Sequence, residues 1–106
     1  MNLLEKISKG QQVGLNINYE YQGETFWLQM AIQLYKGEYL AHITVIDEKN
    51  MAGEDFKLYK TTAHANIDEA LAFLKSNSPV SFSFSDFKPF KGQRAFYPEG
   101  EEIARQ

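Results

Sequence analysis

The chain contains no cysteine, which excludes disulfides, thiolate metal sites and cysteine nucleophiles together. It has no Asn-x-Ser/Thr acceptor, and no apolar run approaches the ~20 residues that span a bilayer. Glu5, Lys6 and Lys9 interrupt the few aliphatic residues near the N-terminus, so that stretch lacks the apolar core of a signal peptide. The expectation is a soluble, cytoplasmic protein without membrane contact. A basic excess is missing too: 11 Lys and Arg stand against 14 Asp and Glu, a formal net charge of -3. This argues against binding duplex nucleic acid by bulk electrostatics.

Catalytic signatures are equally sparse. There is no Gly-rich phosphate cradle, no Gly-x-Ser-x-Gly elbow, no His-Glu-x-x-His pair and no calcium loop. The 2 histidines, His42 and His64, have no metal-ligand spacing. Asp47, Glu48, Glu54 and Asp55 bracket one polar segment and read as solvated loop charges rather than an acid/base pair. Ser81, Ser83 and Ser85 alternate with apolar residues, which marks a polar strand face rather than a nucleophile. These absences predict a non-enzymatic chain with no cofactor and no metal.

What is present is a domain-sized length of 106 residues, 43% hydrophobic and 14% aromatic, enough to bury a core without covalent staples. A single α+β domain is expected over 1–98, followed by an acidic, flexible tail over 99–106. Its centre is the stretch from Glu24 to Asp47, two long strands joined at Lys36-Gly37. Phe26, Leu28, Met30, Ile32 and Leu34 alternate with Trp27, Gln29, Ala31, Gln33 and Tyr35, so one face is apolar. Gln12 to Tyr21 alternates in the same way and joins through Gln22-Gly23. Asp55 to Thr62 reads as a fourth strand at an edge, with lysines outward. Val80 to Phe84 reads as a fifth.

Two helices are predicted. Asn2 with Glu5 has the spacing of an N-cap and its N3 acid, ahead of a short helix ending at Gly10. Asn66 with Glu69 caps a longer helix over 67–77, whose Ile67, Ala70, Leu71 and Leu74 form an apolar stripe widened by Phe73. The architecture is therefore a four- to five-stranded antiparallel meander sheet with this helix across one face.

The helix-free face carries the candidate binding residues Trp27, Gln29, Gln33, Tyr35, His42 and Tyr59. Its planar aromatics and amides suit a protein interface, with either a protein partner or a second copy of the chain, through this face or an edge strand. The alternative is single-stranded nucleic acid stacked on Trp27 and Tyr35, with Lys88, Lys91 and Arg94 as phosphate contacts. Those cations lie in the segment 87–98, which is rich in aromatics and proline; the same segment suits an arm docked on the domain.

Overall fold

The computed structural model describes residues 2–49, 56–90, 94–100 and 102–105. Its elements follow the sequence closely. Helix α1 spans Leu3–Ser8, where Asn2 Oδ1 accepts the Glu5 N–H at 2.9 Å. Strands β1 (Val13–Tyr21), β2 (Glu24–Tyr35), β3 (Glu38–Asp47) and β4 (Phe56–His64) form an antiparallel meander. Helix α2 covers Ile67–Asn77, with the Glu69 N–H held by Asn66 Oδ1 at 2.9 Å and Lys75 in its last turn. Both tight turns, Gln22-Gly23 and Lys36-Gly37, have positive φ at both residues. That is the backbone twist matching two adjacent right-twisted strands, and it explains the glycine in second position.

The alternating pattern sets what each face buries. Leu28, Met30 and Ile32 pair across strands with Val45, Ile43 and Ala41, and together with Phe26 they share one buried core with Ala70, Phe73 and Leu74 of α2. Helix α2 lies over β3 and β4, while α1 packs on β1 and β2. Burying each of these large side chains stabilises the fold by roughly 2 kcal/mol. Among the described residues no helix is long and apolar enough to cross a membrane.

Two short strands complete the sheet in the order β5-β1-β2-β3-β4-β6: β5 (Lys88–Pro89) runs antiparallel to β1, and β6 (Ile103–Arg105) runs parallel to β4. Strand β6 falls within the stretch expected as the acidic tail. The fifth strand expected at Val80 to Phe84 does not form. Phe82 and Phe84 do turn inward, against Phe87 at 5.6 and 5.5 Å between ring centres. However, Asp86 Oδ2 accepts the Ser83 N–H at 3.0 Å, and the chain closes into a 3-10 turn at Phe84–Asp86. A side chain that captures a backbone donor competes with a ladder hydrogen bond, and here it wins. Ser81, Ser83 and Ser85 are exposed, as their alternation implies. The acids Glu54 and Asp55 of the expected loop lie outside the described residues; Asp47 is buried and its Oδ1 accepts the Lys49 N–H at 3.0 Å.

Candidate interaction surface

The register lays the helix-free face out in cross-strand rows from β1 to β4. The first is Asn18, Trp27, Ile46 and Phe56; the second is Asn16, Gln29, Thr44 and Tyr59; the third is Gly14, Ala31, His42 and Thr61. Gln33 and Leu40, with Ala63, make the next row. The register thus brings Trp27, Gln29, Gln33, Tyr35, His42 and Tyr59 onto one face.

The returning C-terminal segment divides this face. Phe96 is buried and packs with Ala31, Leu40 and Ala63, and Tyr35 and Phe90 lean on the same cluster. Phe96 stacks on the His42 ring at 5.1 Å between centres and 16° between planes. Gln12 fixes the segment in place: its Oε1 accepts the Ala95 N–H at 2.7 Å, and its Nε2 donates to the Phe96 carbonyl at 3.0 Å. The same Nε2 donates to Gln33 Oε1 at 2.8 Å, and Gln33 Nε2 donates to the Gly10 carbonyl at 3.2 Å. Both amides are buried, so this network anchors the arm in a region where an unmet donor or acceptor is costly. Gln33 is therefore engaged in the arm network, and Tyr35 lies half-buried beneath the arm with Lys36 over its ring.

His42 is fully buried at the centre of the face. Its Nδ1 lies 2.7 Å from Thr61 Oγ1 and its Nε2 2.6 Å from Thr44 Oγ1. Tyr59 meets the ring edge-on at 4.9 Å. Burial pushes the imidazole down to about 4, so at neutral pH one ring nitrogen donates to a hydroxyl and the other accepts from one. This is a satisfied interior histidine linking β3 to β4.

The other half of the face stays open. Trp27 and Gln29 are half-exposed, Asn16 and Asn18 are exposed, and Phe56 and Tyr59 form a tilted pair at 5.0 Å on the far side. Thr44 and Ile46 are buried between them. The rows of Trp27 and Gln29 carry no formal charge.

The cations are dispersed. Lys88 is exposed in β5, Lys91 lies outside the described residues, and Arg94 is held locally. Its guanidinium sits over the Tyr97 ring at 4.4 Å, and its Nη2 is 3.6 Å from Glu99 Oε1.

On the helix side a trough of about 750 Å³ runs between β4 and α2 past Lys60, His64, Glu69 and Phe73. Its polar groups already have structural work. His64 Nε2 lies 2.6 Å from Thr62 Oγ1, Glu69 Oε2 accepts the Ala65 N–H at 3.3 Å, and Lys60 sits over the Phe73 ring at 5.6 Å. Burial lowers the His64 pKa, while the Glu69 charge opposes that shift. No group of three or more metal-ligating side chains converges among the described residues.

Sequence reasoning missed two features. Gln12 looked like the first residue of an alternating strand, and its parity with Gln33 was the available signal for a paired amide clamp. Phe96 looked like one of several arm aromatics, and nothing local distinguishes the ring that turns inward. No protein-family model matches the chain, nor does any curated protein or any solved structure.

Proposed function

We propose that this protein is a non-enzymatic interaction module that binds another protein chain, or its own copy, through the open half of the helix-free face and the adjoining edge of β1. The observation that carries this reading is the division of the face by the arm. Its docking occupies the half around His42 and leaves Trp27 half-exposed between Asn18 and buried Ile46. A large planar anchor flanked by uncharged amides is the composition that protein interfaces favour at their centres. The non-enzymatic part draws on the engagement of His42, His64, Gln12 and Gln33 in structural hydrogen bonds.

The single-stranded nucleic-acid reading has less support. Arg94 is engaged by Glu99 and Tyr97, and Tyr35 and Phe96 are drawn into the arm cluster, which removes stacking surface and a phosphate contact.

Trp27→Ala tests the proposal. It is expected to abolish binding of a partner seated on the face, read by co-purification of the bound chain, while the melting temperature moves by less than about 4 °C. A larger fall in melting temperature with unchanged association would assign Trp27 to the fold instead.

A further inference from the structure

Among the described residues, the outer edge of β1 is unpaired over most of its length. Tyr21 and Glu24 face each other across the Gln22-Gly23 turn, so their backbone groups bond to one another. Alternation then points the N–H and C=O groups of Ile17 and Tyr19 towards β2 and those of Asn16, Asn18 and Glu20 outward. The Phe90 N–H donating to the Gln12 carbonyl at 3.0 Å, on the outer side, fixes the same parity independently. Strand β5 covers only Val13 and Gly14. Among the described residues nothing pairs with the backbone of Asn16, Asn18 or Glu20.

Two other stretches of the sheet margin carry protecting residues. Strand β5 is a Lys-Pro dipeptide, whose Pro89 has no N–H, and the outer start of β4 carries Lys57 and Lys60. Lysine, proline and bulges are the devices that keep an edge single, and β1 from Leu15 to Tyr21 has none of them.

We propose that this edge pairs antiparallel with the β1 edge of a second copy of the chain, Asn18 meeting Asn18 on a two-fold axis. This pairing rests on the interaction-module reading and names its partner. The register follows from the strand itself. With Asn18 on the axis, Asn16 faces Glu20 of the second copy and every outward backbone group is matched. Shifting the pairing towards Gly14 runs into β5, and centring it on Glu20 sets two carboxylates face to face. On the helix side Ile17 then meets Tyr19 of the second copy, extending the apolar layer in which Tyr19 stacks on Phe26 at 5.4 Å. On the other side the two Trp27 residues, each one strand inward, come to lie about 14 Å apart on one continuous surface. The seam is short, so a dissociation constant on the order of tens of micromolar is expected.

The test is sedimentation equilibrium of the full chain from about 1 µM to about 1 mM, with two opposite charges placed at one exposed position. Asn16→Lys faces Glu20 twice across the axis and should tighten the dimer about fivefold at low salt, while Asn16→Glu should weaken it by a similar factor. Melting temperatures close to that of the parent would show that both variants fold. Opposite shifts of the dimer constant support the pairing, since a disturbed monomer would move both the same way. A monomer at every concentration overturns it and leaves the module reading to stand on a different chain bound at Trp27. A dimer indifferent to both charges but lost with Trp27→Ala also overturns it, and upholds the module reading through the face. Loss of all association in the parent, with Trp27 indifferent to every added protein, would sink both.

Discussion

His42 shows how one buried side chain makes the fold sensitive to acid. Burial holds its imidazole down at about 4, against an ordinary value of 6.5. The unfolded chain takes up this proton near 6.5, whereas the folded protein refuses it until about 4, so between those values the unfolded state binds more protons. The contribution to stability is complete above pH 6.5, declines as the pH falls towards 4, and is constant below. Its size is on the order of 3 kcal/mol, and His64, also lowered by burial, adds in the same direction. Urea unfolding from about pH 7.5 down to about pH 4.5 should show this loss, and His42→Gln should flatten it. An equal slope in both proteins would mean that other groups set the acid sensitivity. Gly14 is a second single-residue constraint: a Cβ there would run into the Met30 carbonyl and come within 2.5 Å of the Phe90 ring. Gly14→Ala should therefore cost about 2 kcal/mol or more by overpacking, measured by chemical denaturation.

The C-terminal arm behaves as an element of the core although it is hardly regular structure. Phe96 seals His42, so Phe96→Ala should lower stability by about 3 kcal/mol and let the His42 pKa climb back towards its ordinary value. An NMR titration of the ring protons reads this directly; an unmoved His42 would mean that the strands bury it without the arm. The arm also marks where sequence legibility ended. The meander, both caps and α2 were readable because each rests on local spacing: alternation in β1 and β2, Asn66 with Glu69, glycine at the second turn position. The shared face of Trp27, Gln29 and His42 followed from parity alone. The Thr44–His42–Thr61 bridge did not, because Thr61 comes from another strand across a ladder whose register shifts at Val45/Ile46. Val80 to Phe84 failed for the opposite reason. Its alternation is that of a strand, but the ladder place beside β1 goes to Lys88–Pro89, and Asp86 bends the chain before it arrives.

Taken as a whole, the molecule sets two differently treated halves of one sheet side by side. Its helix side is covered by α1, α2 and the 80–87 segment, and among the described residues its other side is covered only where the arm lies. Charge follows the same division. Among the described residues the net charge of -3 is not offset by a cationic patch beside Trp27: Lys88 projects from the β5 margin, Arg94 is turned to Glu99, and the rows of Trp27 and Gln29 are uncharged. A single strand of nucleic acid would thus find an aromatic ring without the electrostatic groove that normally brings a polyanion to it. Trp27, the one tryptophan, reports on this without a label. Its emission should be quenched by acrylamide, as befits a half-exposed ring, and should stay unchanged when short single-stranded oligonucleotides are added in low salt. Quenching by oligonucleotide that vanishes as salt is raised would instead show that phosphate attraction drives binding, and would return the face to nucleic acid. An indifferent Trp27 would instead agree with the proposed reading, in which this uncharged aromatic-and-amide surface meets another protein surface.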